Sequence, residues 1–321
     1  MSDLQEPVAV GLIGAGPWAR MAHVPMLAKG PHTRLAGVWA RRPEAAAELG
    51  APVFASVEEL FEHCEAVAFC VPPAVQAEYA VRAARAGKAL LLEKPLAETL
   101  EQAERVAAAV AEAGVASQMV LTLRYAPQTR AFLARCAGIE PFGGHAANIS
   151  GMLLGDHPFA TPWRRAHGPL LDVGPHLIDV LDAALGRVTG VRAHGDPLGW
   201  VGLLLEHEGG GVSEVSLCMT AAGDPPPQTI AVYGRAGSAV LPHFDDDPAG
   251  DDRRGVRHDG ARGRRPPPRR RPRPAAAADH RRGAGSTRPL TRAASGALIT
   301  FVRCAERSEV RCESGAVPQL S

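Results

Sequence analysis

The feature that most restricts this chain is a glycine turn set between a strand pattern and a helix pattern. Val8 to Ile13 is an apolar run of strand length, Gly14-Ala15-Gly16-Pro17-Trp18-Ala19 follows at once, and Ala19 to Lys29 has helical spacing. This is G-x-G-x-x-A in the context that gives the pattern physical meaning. The first glycine, Gly14, permits the tight turn, and Gly16 lets the backbone approach a pyrophosphate. The small Ala19 lets helix and strand pack closely. Pro17 and Trp18 lie where the helix start offers unpaired N–H groups and a positive dipole end to phosphates. An ordinary tight turn would satisfy the glycines alone. A second strand pattern, Arg34 to Trp39, follows at βα spacing, and the combination favours dinucleotide binding.

The end of that second strand should read the adenosine ribose. NAD sites usually place a carboxylate there for the 2′-hydroxyl. Here the chain has Ala40-Arg41-Arg42, and two guanidinium forks suit a 2′-phosphate, so NADP is expected over NAD. Two solvated arginines opening a helix would be the plainer explanation.

The βα rhythm continues. Ser56-Val57-Glu58-Glu59 is a capping box, Ala66 to Val71 is a strand, and Pro72-Pro73 starts a helix reaching Ala86, which Gly87 stops. Ala89 to Leu92 is a short apolar run ended by Glu93-Lys94-Pro95, as in a strand buried on both faces. Thr99-Leu100-Glu101-Gln102 caps a helix to Ala113, and Val115 to Leu123 reads as another strand. Repeated βα units imply a doubly wound parallel sheet of Rossmann type, assigned to residues 1–123. Ligands in such sheets sit beyond the carboxyl ends of the strands. Lys94 at that point is either placed where chemistry happens or is a plain strand-terminating surface charge, and Pro72, Glu93 and Lys94 are expected, with the glycine turn, against the cofactor.

Bulk properties narrow the class. The chain has 321 residues, 46% hydrophobic and 21% charged, with net charge +1, enough for two domains with cores of their own. Near-neutral charge argues against nucleic-acid or membrane-surface binding by the whole chain. Six cysteines, at 64, 70, 136, 218, 304 and 312, show no metal-ligand spacing and read as scattered reduced thiols of a cytoplasmic protein. Neither a signal peptide nor an apolar stretch of spanning length is evident.

Past Arg124-Tyr125 the rhythm changes. A helix (127–137) and a strand near 144–150 precede a loop carrying Asp156, His157, Trp163, Arg164 and Arg165. In Asp172-Val173-Gly174-Pro175-His176-Leu177-Ile178-Asp179, the proline suits a first helical turn, and Leu177, Val180, Leu181, Ala184 and Leu185 form an apolar stripe ending at Gly186. Asp172 and His176 are four apart and can face the same space. A carboxylate beside an imidazole can hold its tautomer and raise its basicity, which suits acid/base work near neutral pH. Alone, a helix cap and a satisfied core histidine would explain the pair better. Strand patterns at 201–206, 211–220, 229–233 and 238–241, separated by Gly and Pro turns, predict a mainly antiparallel sheet in an α+β second domain, 124–321.

Taken together, the Gly14–Trp18 turn, Glu93-Lys94-Pro95 and the Asp172–Asp179 segment resemble the glucose–fructose oxidoreductase / inositol dehydrogenase / rhizopine-catabolism (Gfo/Idh/MocA) family. The likeness runs from about residue 7 to 241. It implies a nicotinamide-dependent oxidoreductase acting on a secondary alcohol or carbonyl of a sugar, polyol or similar small molecule. It also implies Lys94, Asp172 and His176 as catalytic groups, with Lys94 polarising the reacting oxygen and His176 moving the proton. A cis peptide before Pro95, substrate contacts from Arg124, Tyr125, Trp163 and Arg164, and a homo-oligomer formed through the open face of the second sheet follow from the same likeness. Two positions depart from the family pattern: Gln76 stands where histidine is frequent, and Ala40 where aspartate is. A nucleotide-binding protein without turnover and a redox-neutral, glycosidase-like user of NAD remain alternatives.

From Asp245 to about Ser295 the chain passes from acidic runs to Arg-, Pro-, Ala- and Gly-rich sequence. It reads either as an extended disordered segment or as an out-of-frame stretch of a GC-rich gene. A basic tether for nucleic acid is disfavoured because no aromatics interleave. Leu298 to Cys304 regains helix-like apolar spacing.

Overall fold

The computed structural model describes residues 6–157, 159–223, 225 and 228–241; the segment from Asp245 to Ser295, the Leu298–Cys304 pattern, Cys304 and Cys312 lie outside them. The first half alternates strand and helix: β1 (Val8–Ile13), α1 (Val24–Lys29), β2 (Thr33–Trp39), α2 (Pro43–Ala47), α3 (Val57–Glu62), β3 (Ala66–Phe69), α4 (Pro73–Arg85), β4 (Ala89–Leu92), α5 (Leu100–Ala113) and β5 (Ser117–Met119). The five strands pair in parallel in the order β2-β1-β3-β4-β5. Helices cover both faces, so the central strands β1 and β3 are apolar rather than alternating: Leu12, Ile13, Val67, Ala68 and Phe69 are all solvent-free. The order reverses at β1, which has β2 on one side and β3 on the other. Such a reversal opens a crevice beyond the strand ends, where ligands bind.

The helix starts follow the sequence chemistry. Ser56 Oγ accepts from Glu59 N at 3.1 Å. Thr99 and Gln102 cap each other's backbone reciprocally.

Beyond β5 come α6 (Thr122–Tyr125), α7 (Pro127–Ala137), β6 (Pro141–Ile149), α8 (Pro162–Asp172), α9 (Gly174–Leu185), β7 (Val188–Gly195), β8 (Trp200–His207), β9 (Val212–Cys218), β10 (Thr229–Gly234) and β11 (Gly237–Leu241). Their strands form a six-stranded sheet, β11-β10-β6-β9-β8-β7, antiparallel except where β6 meets β9. The expected stripe of α9 is its core face. Leu177, Val180, Leu181, Ala184 and Leu185 are buried, and with Phe132 they cover the inner side chains of the sheet, Val201, Leu203, Leu205, Leu217 and Ile230. Each fully buried Leu, Ile or Phe contributes about 1.5–3 kcal/mol. The chain is therefore α/β, with a Rossmann half and a second half built on a mainly antiparallel sheet.

Two expectations need correction, and one strand has no counterpart in the sequence patterns. The strand expected over 115–123 stops at Met119. Leu121 leaves the extended region (φ −90°, ψ 70°) and the chain winds into α6, although Leu121 and Leu123 stay buried. Burial in the core, not sheet pairing, explains that apolar run. The segment read as a loop around Trp163 is largely α8, which begins with Thr161 Oγ1 accepting from Arg164 N and Pro162 in the first turn. Its helical pattern is broken at Gly168-Pro169, where φ of Gly168 is 66° and a Cβ would lie 2.2 Å from Pro197 O. Strand β7 carries no clear apolar alternation: it is an edge strand, and most of its residues are half-buried or exposed.

Four cysteines, 64, 70, 136 and 218, are free thiols. Among the described residues no helix is long and apolar enough to cross a membrane.

Candidate active site

Strand β4 ends at the carboxyl edge of the first sheet, and the next three residues carry its chemistry across to the second domain. The Lys94–Pro95 peptide is cis, as the family likeness implied. Lys94 Nζ donates to Asp172 O at 2.7 Å and to Asp172 Oδ1 at 2.9 Å. Asp172 is the last residue of α8, and its other oxygen, Oδ2, accepts from Arg164 Nε at 2.7 Å. Two cations thus converge on one carboxylate that is only 3% exposed. Burial alone would raise the Asp172 carboxyl, but Lys94 and Arg164 outweigh it and hold the group below its usual range.

His176 follows one turn later, near the start of α9, and faces the same cleft. Burial and then the Lys94 ammonium push its imidazole down to about 3, against a smaller upward pull from Asp172. The raised basicity expected from the sequence is therefore reversed. Asp172 spends its oxygens on Lys94 and Arg164, and the buried Nδ1 of His176 finds no hydrogen-bond partner. The imidazole is neutral across the physiological range.

These groups line a cleft of about 580 Å³ between the two halves. The first half contributes Gly16, Pro17, Trp18, Pro72, Glu93 and Lys94, and the second contributes Trp163, Arg164, Asp172 and His176. Gly14 and Ala19 lie behind this wall. Gly14 has φ +116°, and a Cβ there would come within 2.2 Å of Cys70 O, so only glycine lets β1 turn against the end of β3. Ala19 is solvent-free against the β1 side of the sheet. A Cβ on Gly16 would meet nothing within 4 Å. Gly16 therefore faces open space beside a helix start, which is the cradle a dinucleotide pyrophosphate requires. The residues present fit such a cofactor.

Arg41 and Arg42 are exposed just past β2, where Arg42 precedes the first turn of α2. Arg124 and Tyr125 stand apart from the cleft wall, to which their segment contributes Thr122. Arg124 grips the buried Asp179, with Nε at 2.8 Å from Oδ2 and Nη2 at 2.6 Å from Oδ1. The Tyr125 hydroxyl pairs with the Gln118 amide.

Several supporting residues escaped the sequence reading. Glu93 does not point a free carboxylate into the cleft. Its Oε1 accepts from Trp18 Nε1 at 2.6 Å and pairs with His23 Nε2 at 2.8 Å, while Oε2 accepts from Lys94 N at 3.2 Å. His23 reaches it because Ala19–His23 winds as a π-helix ahead of α1. Such widened turns recur at functional sites. A buried histidine on the first helix was the available signal. Phe159 packs edge-on against Trp18 with centroids 6.3 Å apart, and the Arg164 guanidinium lies over its ring at 5.3 Å. Arg165 secures that loop by donating to the carbonyls of Leu153 and Gly155 at 2.8 and 2.9 Å. Gln76, read as a departure without a role, is buried beneath the Lys94 turn.

Comparison with known proteins agrees with the fold. The family model described as "Oxidoreductase family, NAD-binding Rossmann fold" (Gfo/Idh/MocA) matches residues 8–121, and the Gfo/Idh/MocA C-terminal domain model matches residues 144–240. Galactose 1-dehydrogenase of Pseudomonas fluorescens is 35% identical over 101 residues, 30% of this chain and 32% of that protein. A dTDP-3,4-didehydro-2,6-dideoxy-alpha-D-glucose 3-reductase of Actinomadura kijaniata is 36% identical over 131 residues, 39% of each chain. The chain spans between 32% and 58% of the lengths of the curated relatives it matches. Among solved structures, GenD2 from gentamicin A biosynthesis, in complex with NAD, superposes with a TM-score of 0.65 at 24% identity, covering 74% of this chain and 73% of that one.

Proposed function

The chain belongs to the Gfo/Idh/MocA oxidoreductase family, and from that premise we propose that it moves hydride between a nicotinamide dinucleotide and a secondary alcohol or carbonyl of a sugar or polyol. One observation carries this reading. An ammonium, a carboxylate, a guanidinium and a neutral imidazole meet in the cleft that the glycine turn opens. When bound, the nicotinamide supplies the hydride acceptor or donor. Gly16, Pro17 and Trp18 would hold its pyrophosphate, and Pro72 and Glu93 would wall the nicotinamide side.

Lys94 presents its ammonium to the reacting oxygen and stabilises the negative charge that develops there. Asp172 fixes the ammonium by two contacts, and Lys94 and then Arg164 keep Asp172 ionised despite its burial. His176, uncharged, accepts the hydroxyl proton in the oxidative direction and returns it in the reductive one. Burial is the larger reason its pKa is low; the second, the Lys94 ammonium, is offset once an oxyanion forms beside it, which favours proton transfer as charge develops. Trp163 and Arg164 line the substrate side of the cleft. The sugar class rests on the names of the two curated relatives, both sugar enzymes.

NADP is the cofactor we assign, because Ala40 leaves no carboxylate for a ribose 2′-hydroxyl while Arg41 and Arg42 stand exposed at that strand end. Purified protein given NADP or NADPH and a panel of aldoses, ketoses and polyols tests the whole reading through the nicotinamide absorbance. Turnover of at least one member is expected. Nucleotide binding with no turnover on any of them would leave only a binding protein. Product formed at constant absorbance would point to redox-neutral chemistry.

A further inference from the structure

Gln76 lies in the second turn of α4, is 1% exposed, and spends its amide on main-chain atoms of the turn that carries Lys94. Its Oε1 accepts from Glu93 N at 2.8 Å, and its Nε2 donates to Glu93 O at 2.6 Å. The same nitrogen reaches Leu96 O at 2.9 Å, with Pro95 O beside it at 3.4 Å. A primary amide offers two donor hydrogens and an acceptor oxygen, and both ends of this one are engaged by main-chain atoms.

The pattern has a structural meaning. By binding both the N–H and the C=O of Glu93, the amide does what a neighbouring strand would do, one residue beyond the point where β4 ends at Leu92. The contact at Leu96 secures the far side of the same turn. Lys94 therefore sits between two pinned points, and its side chain extends from there to Asp172. The helix that supplies the pin begins at Pro73, which with Pro72 lines the cleft.

We infer that Gln76 is the positioning residue for Lys94, fixing the Glu93–Leu96 backbone so that the ammonium meets Asp172 in the cleft. This rests on the reading of Lys94 as the group that acts on substrate, but the clamp itself can be tested without a substrate. The amide is hard to replace. A glutamate side chain keeps the acceptor but turns donor contacts at 2.6 and 2.9 Å into oxygen–oxygen repulsions. A neutral imidazole has one donor and one acceptor, enough for Glu93 but not for Leu96 as well. A methionine fills similar space with no comparable donor or acceptor.

The experiment compares wild-type protein with Gln76→Met and Gln76→His, each shown by circular dichroism to be folded and by fluorescence titration to bind NADPH. A short pulse of acetic anhydride followed by peptide mass spectrometry gives the acylation rate of Lys94, with Lys29 and Lys88, the other lysines of the chain, as internal controls. Gln76→Met should raise the Lys94 rate about tenfold or more, as its pairing with Asp172 loosens, with Gln76→His in between and both controls unchanged. A wild-type rate at Lys94 in folded Gln76→Met protein would overturn the proposal, and so would equal acceleration at all three lysines. With a sugar that is turned over, kcat should fall about 10- to 100-fold in Gln76→Met while the KM for NADPH stays within about threefold, and Gln76→His should recover part of the loss. A fall in thermal stability with kcat intact would mark a merely structural role and reject the positioning one. If no sugar is turned over by wild-type protein, the hydride-transfer reading fails while the acylation result still decides the clamp.

Discussion

At the scale of single residues, charge balance decides what each group can do. Asp172 would be a poor anion at 3% exposure without two cations on it, and His176 is neutral because it is half-buried and largely desolvated beside one of them. The sign of the histidine effect on stability follows directly. Its folded value is about 3 against 6.5 for the free group, so the unfolded chain takes up the proton first as pH falls. The native state loses that contribution progressively below about pH 6.5. His176→Gln lacks it, so its thermal stability should gain on wild type between about pH 7 and about pH 4.5, by on the order of 2 kcal/mol at the acid end. Parallel stability profiles for the two proteins would show that the imidazole is not held neutral. Arg124 raises a different question, because its guanidinium is committed to Asp179, whose carboxyl burial has already pushed up despite the arginine. Arg124→Ala leaves that carboxylate buried and unpaired, and urea unfolding should show a loss of about 3–5 kcal/mol. Unchanged stability with a raised KM for sugar would instead restore Arg124 to the substrate-contact role its motif suggested.

At the scale of elements, the glycine turn separates folding from binding within three residues. Gly14→Ala forces a Cβ to within 2.2 Å of Cys70 O at φ +116°, and should destabilise the protein by about 3 kcal/mol or more. Gly16→Ala meets no protein atom within 4 Å, so stability should stay within about 0.5 kcal/mol while NADPH affinity falls at least about tenfold. Equal effects of the two substitutions, by melting and by nucleotide titration, would contradict the separation. The same turn shows why so much was legible in advance: a β-strand, two glycines and a helix start are local, and each residue type answers to its own backbone geometry. Lys94, Asp172 and His176 were marked by the resemblance of their motifs to the family, since taken alone the aspartate and histidine read as a helix cap and a core residue. What was hidden is tertiary. Nothing in the spacing of Gln76, His23 or Phe159 says that each leans on Glu93, on Trp18 or on the Lys94 turn. Helix α8 was concealed by Gly168-Pro169, which conforms to a contact with Pro197 rather than to helix chemistry.

At the scale of the whole molecule, the two sheets meet where Lys94 bonds Asp172 and where Trp18 packs on Phe159, so the cleft exists only when both halves are in place. The NADP assignment is tested there by Arg41→Ala, which should weaken NADPH far more than NADH; equal weakening would return the site to NAD. The sheet of the second half leaves Trp200, Tyr233 and Val240 exposed on the face away from α9. We propose that a second copy of the chain covers this face, and Tyr233→Arg should shift the sedimentation coefficient toward the monomer. A wild-type monomer would remove that proposal without touching the site. The central claim is that Lys94 acts on the substrate and not on the nucleotide. Its most direct test is Lys94→Ala, assayed for NADPH dissociation constant and for kcat on the best sugar of the panel. The dissociation constant should stay within about threefold of wild type while kcat falls at least about 10³-fold. Retained turnover, or comparable loss of binding and turnover together, would contradict it.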